Sequence, residues 1–253
     1  MKTAIVTGGA SGIGLEFVKL LVNDDYKVFV VDNSKENLNR LTSKFDPKNI
    51  ETINQDLSKT DSPEKIYKNL KNKNIDVLIN NAGFGTFGKF HNSDWKRDRD
   101  MINLHVLNTT HLTKLFLKDM VKKNEGKILN ISSVAAFQPG PLMSLYYATK
   151  AFILHFTEAI SNEVKDKNIS ISVLCPGQTS TNFQKNVSTK KNKIKFNTGC
   201  PIKVAKYGYD SLKKNTTVSV PGFWNKVIVF LVRILPRSTS TNLVRYIQEK
   251  NRD

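Results

Sequence analysis

The chain is short of cysteine, of acidic residues and of long apolar runs, and each shortage excludes something. Its two cysteines, Cys175 and Cys200, stand 25 positions apart with no Cys or His at ligand spacing. Neither a disulfide framework nor a metal site is suggested, and a reducing cytoplasm is the expected setting. The longest apolar run, VIVFLV at 227–232, has six residues, far below the roughly 20 that a membrane span needs. The opening MKTAIVTGG carries one lysine and reaches glycine after a short apolar stretch, so it does not read as a signal peptide.

The acid shortage is uneven along the chain. Against 39 Lys/Arg there are 22 Asp/Glu, a net charge of +17, and residues 185–253 alone hold 15 Lys/Arg and 3 Asp/Glu. A solvated basic surface is the plain reading; an anionic substrate or a membrane surface are sharper ones. No recognition motif accompanies the charge, so nucleic acid is not an expected partner.

What is present is a repeated alternation of short β-rich runs and longer helical ones. The runs are TAIVT (3–7), KVFVV (27–31), IETIN (50–54), DVLIN (76–80), KILNI (127–131), SISVL (170–174) and TVSV (217–220). Between them, 13–24, 62–72, 101–123 and 144–166 carry apolar residues at three- and four-residue spacing. This is the pattern of a parallel sheet with right-handed crossovers and helices on both faces, in one domain over 1–253. A polar stretch at about 182–200 reads as a mobile flap, and 221–253 as a basic, apolar helical extension.

TGGASGIG at 7–14 joins the first strand to the first helix, where a dinucleotide fold turns tightly and lets phosphate approach backbone. Gly8, Ser11, Gly12, Ile13 and Gly14 are therefore candidate cofactor-binding residues. Asp32 ends the second strand 18 residues after Gly14, close to the spacing at which a carboxylate meets the adenosine ribose hydroxyls. Its charge repels a 2′-phosphate, and neither Ser11 nor Asn33 offers a cation, so NAD is expected over NADP.

YYATK at 146–150 raises the question of which tyrosine does chemistry. Tyr146 and Lys150 are four apart and share a helix face, whereas Tyr147 points about 100° away. A lysine cation beside a phenol favours the phenolate, which predicts proton exchange at Tyr146 near neutral pH. Upstream, ILNISS places Ser132 and Ser133 at the carboxyl edge of the fifth strand, where open α/β sheets bind ligands.

TGGASGIG, DL at 56–57, NNAG at 80–83, the spacing from SS to YYATK, and PGQTST at 176–181 together resemble the short-chain dehydrogenase/reductase family over nearly the whole chain. The stretch AAFQPGPLMSLYYATKAF further resembles a bacterial branch often labelled DltE-like. The resemblance implies a Rossmann fold with seven parallel strands in the order 3-2-1-4-5-6-7. It implies an NAD-dependent alcohol dehydrogenase or ketone reductase, with Ser133 bonding the substrate oxygen, Tyr146 as acid/base and Lys150 holding both tyrosine and ribose. It further implies Asp56 and Leu57 at the adenine, Asn81 and Gly83 beside the ribose, Pro176, Gly177 and Thr179 along the cofactor, and Thr181 near the carboxamide. A homodimer or homotetramer is the assembly that it suggests.

One position departs from the family pattern. Where the family carries an asparagine in its proton relay, 28 residues before the serine, this chain has His105; Asn103 and Asn108 lie off register on an ideal helix. His105 is thus a candidate to hold the relay water or pass the proton, with a histidine satisfied by its neighbours as the alternative. Residues 223–235 carry apolar side chains on nearly every face. Cover by a partner subunit or by the wall of the cleft is expected there, ahead of a membrane surface, over a hydrophobic or anionic substrate.

Overall fold

The computed structural model describes residues 1–181, 183, 187 and 198–252. The flap expected at about 182–200 lies largely outside the described residues.

Seven strands form one parallel sheet: β1 (Thr3–Thr7), β2 (Lys27–Asp32), β3 (Ile50–Asn54), β4 (Val77–Asn80), β5 (Gly126–Ile131), β6 (Ile169–Leu174) and β7 (Val218–Ser219), in the order β3-β2-β1-β4-β5-β6-β7. The apolar runs are short and buried on both faces, as a parallel sheet requires. Val28 to Val31 and Val77 to Ile79 have almost no exposed surface. The helices are α1 (Gly12–Asn23), α2 (Lys35–Thr42), α3 (Ser62–Leu70), α4 (Trp95–Ile102), α5 (Thr109–Lys123), α6 (Ser144–Glu163), α7 (Pro201–Lys213), α8 (Phe223–Ile234) and α9 (Arg237–Arg252). On one face Phe17, Leu21, Tyr209 and Leu212 pack over the sheet. On the other Ile66, Leu70, Leu112 and Phe116 do so.

Three expectations need correction. β7 is only two residues long rather than four, since Pro221 has no N–H to extend the ladder and Gly222 follows at positive φ. Helices α2 and α7 fall outside the expected helical stretches, and α4 begins six residues ahead of the one at 101–123; α2 has few apolar residues but is capped by Ser34, whose hydroxyl accepts from Asn37 N–H at 3.3 Å. The single helix expected at 101–123 is interrupted by a π-helical segment, Asn103–Asn108. Thr109 Oγ1 donates to Leu104 O across that wide turn at 3.1 Å. The extra residue per turn resets the side-chain register, a feature that π segments bring to functional sites.

Candidate active site

β5 ends at Ile131, and the next two residues carry hydroxyls at the edge of the sheet. Ser132 donates to Lys150 O at 2.7 Å, pinning α6 to the strand end. Ser133 accepts from Ala135 N–H at 3.1 Å and lies 3.4 Å from Pro176 O. From α6, Tyr146 comes close enough to Ser133 for that hydroxyl to favour its phenolate. Lys150, one turn on, is buried, donates to Ile131 O at 2.8 Å and sits 5.8 Å from the Tyr146 ring centroid. The shared helix face expected of residues 146 and 150 is thus what brings three groups to one point. Tyr147 faces elsewhere, its phenol oxygen accepting from Gln248 Nε2 at 3.2 Å.

The electrostatics differ from the expectation. Burial holds the Tyr146 phenol above its ordinary value, and the nearby Ser133 hydroxyl only partly opposes this. Burial also pulls Lys150 down to about 8 and pushes the neighbouring Cys175 thiol up to about 12. Desolvation therefore outweighs the lysine's pull on the phenol in the chain by itself.

His105 lies entirely buried at the back of Tyr146, the two ring centroids 6.0 Å apart. Thr149 Oγ1 already donates to Tyr146 O at 2.9 Å, so it accepts from His105 Nδ1–H, also at 2.9 Å. Nε2 is then free to accept from Phe84 N–H at 3.2 Å. The partners assign the neutral Nδ1–H tautomer, and burial keeps the ring's pKa well below 6.5. Asn103 and Asn108 turn away from Tyr146: the first donates to Ser58 O at 3.1 Å, the second to the carbonyls of Leu57 and Lys59.

The glycine loop has the shape that a dinucleotide needs. Gly8 and Gly12 adopt φ of +60° and +55°, and a Cβ on Gly14 would lie 2.1 Å from Gly8 O. Ser11 caps α1 without a side-chain bond, which leaves the first-turn N–H groups for an anion; Ile13 packs against the core beneath. Asn81 Nδ2 donates to Thr7 O and Gly8 O, each at 3.0 Å, so it braces the loop from β4. Asp32 accepts from Ala10 N–H at 3.1 Å and Ser34 N–H at 3.0 Å, tying the loop to the end of β2. Asp56 accepts from Ser58 N–H at 2.9 Å, and Leu57 is buried. Gly83 lies against the His105 ring and Lys150 Nζ. Beyond β6, Asn225 packs on Gly177, Thr179 Oγ1 donates to Gly177 O at 3.0 Å, and Thr181 lies against Gly12. The predicted cofactor residues therefore line one edge of the sheet, on either side of β1, and fit a bound dinucleotide.

A family model, short chain dehydrogenase, matches residues 2–192. The chain belongs to the short-chain dehydrogenase family. Very-long-chain 3-oxoacyl-CoA reductase of Mus musculus is 34% identical over 190 residues, covering 72% of this chain and 61% of that protein. A solved 7beta-hydroxysteroid dehydrogenase superposes with a TM-score of 0.84 over 97% of this chain and 96% of its own, at 20% identity, a likeness of fold. ElxO with NADP bound gives a TM-score of 0.76 at 28% identity, covering 87% of this chain and 96% of its own. The chain spans about three-fifths of the curated reductase that it matches. None of these short-chain dehydrogenase relatives carries the DltE-like label.

Several contributors went unread in the sequence. Thr149 lies within YYATK, beside the lysine, and that position is its signal in the sequence. Phe84 and Phe183 close an aromatic wall, Phe183 standing 5.6 Å from the Tyr146 ring. Around Gly85, Met143, Phe183 and Val187 supply further apolar surface.

Proposed function

We propose that the chain is an oxidoreductase that interconverts a secondary alcohol and a ketone, with NAD preferred over NADP and Tyr146 as acid and base. The observation that carries this reading is the convergence of Ser133, Tyr146 and Lys150 beside a glycine loop braced by Asp32 and Asn81. A bound nicotinamide supplies hydride to the carbonyl carbon, or takes it back from the alcohol. Ser133 holds the substrate oxygen, and Tyr146, kept protonated by burial, gives that oxygen its proton in reduction. Lys150 stabilises the phenolate that remains. The walls formed by Phe84, Met143 and Phe183 suit an apolar carbonyl compound. With the chain's excess of cations, an acyl conjugate of an anionic carrier is the class to assay first.

Product formation from a panel of ketones and 3-oxoacyl thioesters with NADH or NADPH tests the reading; no turnover of any member with either cofactor would reject it. NADH is expected to exceed NADPH in kcat/KM by at least about tenfold, from the like-charge clash at Asp32. Asp32→Ala should narrow that gap, and it should also weaken NADH itself, since Ala10 and Ser34 lose their acceptor. A wild type that prefers NADPH would overturn the reading of Asp32.

The pH dependence follows from Lys150. The ammonium form dominates below its pKa of about 8, so the stabilising charge is present at lower pH and is lost as pH rises. In reduction, kcat/KM for the cofactor, which reports groups of the free protein, is expected to fall above pH 8 towards about tenfold per unit. A flat profile from pH 7 to about 9.5 would contradict this role.

His105 is assigned as a positioning residue, linking Phe84 to Thr149 and through it to Tyr146. His105→Ala should lower both kcat and Tm, since it leaves the Phe84 N–H without its acceptor and opens a cavity behind the tyrosine. Asn, which can keep one of the two bonds, should recover part of each. A fall in kcat with unchanged Tm would instead make His105 a proton relay.

A further inference from the structure

Helix α8 turns its apolar side outward. Val229 is its one buried residue, whereas Phe223, Trp224, Phe230 and Ile234 are 72%, 56%, 63% and 65% exposed, and Leu231 is exposed as well. At about 100° per residue these five fall within an arc of about 120°, and Lys226 and Arg233 stand at its edge. Helix α9 adds Leu243, Tyr246 and Ile247, all exposed. Scattered exposed apolar residues are ordinary, but a continuous aromatic and aliphatic arc marks an interaction surface.

Charge selects the occupant. Residues 223–250 hold five Lys/Arg and one Glu, and that glutamate, Glu249, already accepts from Arg245 at 2.9 Å. A second copy of the chain, paired through this face, would bring like charges together. An anionic lipid surface meets both the apolar arc and its basic border. A free interfacial helix needs a broad polar face towards water; here the protein body takes that side, with Asn225 packed on Gly177. Among the described residues, no helix is long and apolar enough to cross a membrane.

We propose that α8 and α9 dock the protein on an anionic bilayer, with the α8 arc inserted in the interface. The same helices touch the candidate active site, through Asn225 on Gly177 and Gln248 on Tyr147. A consequence, which rests on the proposed activity, is that an apolar carbonyl compound dissolved in lipid reaches the cleft from the membrane side.

Co-sedimentation of the full chain with phosphatidylglycerol–phosphatidylcholine vesicles, and with phosphatidylcholine alone, tests the docking. Binding to the anionic vesicles, weakened by salt and much reduced on neutral ones, is the expected result. The double variant Trp224→Glu, Phe230→Glu changes only exposed side chains, so its Tm should hold while partitioning falls by at least about tenfold. Lys226→Glu with Arg233→Glu should erase the preference for anionic lipid. Failure to co-sediment with either vesicle would overturn the proposal. So would a dimer in analytical ultracentrifugation that Phe230→Glu dissociates, which would assign the face to a second copy. Turnover of a water-soluble ketone without vesicles separates the two readings: its absence in the wild type strikes the activity and leaves the docking result standing.

Discussion

Tyr146→Phe is expected to reduce carbonyl turnover by about 10³-fold, within the range for loss of a general acid, while dinucleotide binding changes little. The ring's packing against His105, Tyr147 and Phe183, at centroid distances of 6.0, 6.2 and 5.6 Å, involves no hydroxyl and survives the change. What is lost is the proton that reduction needs. The control is Tyr147→Phe, which removes the bond from Gln248 Nε2, an interaction of about 1 kcal/mol. Its rate should stay within about threefold of wild type, because that bond serves the seating of α9 and not the proton transfer. Steady-state kinetics, with cofactor affinity followed by NADH fluorescence, distinguish the pair. Equal losses in the two variants would remove Tyr146 from its role.

The parts of this site that could be read from sequence are those governed by local spacing. A four-residue separation on a helix placed Lys150 beside Tyr146, and a glycine loop between strand and helix placed the phosphate cradle. What could not be read depends on partners far along the chain or on depth. His105 finds Phe84 21 residues away and Thr149 44 residues away, across a π turn that no periodicity discloses. The direction of the Tyr146 shift is hidden from the sequence for a related reason: sequence shows a neighbouring cation, whereas desolvation needs the surrounding volume. At the C-terminus, apolar content was plain, but only the placement of Asn225 and Val229 decides which side of α8 faces the protein.

Gly14→Ala is expected to lower dinucleotide affinity by at least about 100-fold, an effect larger than helix propensity alone would suggest and opposite in sign. Gly14 has no positive φ, so alanine suits its backbone and favours the helix by up to about 1 kcal/mol. The obstacle is space. The new methyl would sit 2.1 Å from Gly8 O and 2.6 Å from Asn81 Nδ2, and the first of these is backbone, which no rotamer change can clear. Relief requires the turn at Gly8 to move away from α1, and that turn also carries the Asn81 brace and the N–H that Ala10 gives to Asp32. Phosphate recognition is lost with the cradle's shape, while the core strands below keep their register and far-UV circular dichroism should be unchanged. Gly12→Ala supplies the comparison, since its methyl meets only the Thr181 side chain at 3.3 Å and its φ of +55° costs about 1–2 kcal/mol. That variant should lose roughly tenfold in affinity, from strain in one residue. Isothermal titration of NADH into both proteins checks the order, and an equal or greater loss at Gly12 would mean that the loop's φ, not the packing of Gly14 against Gly8, shapes the phosphate site.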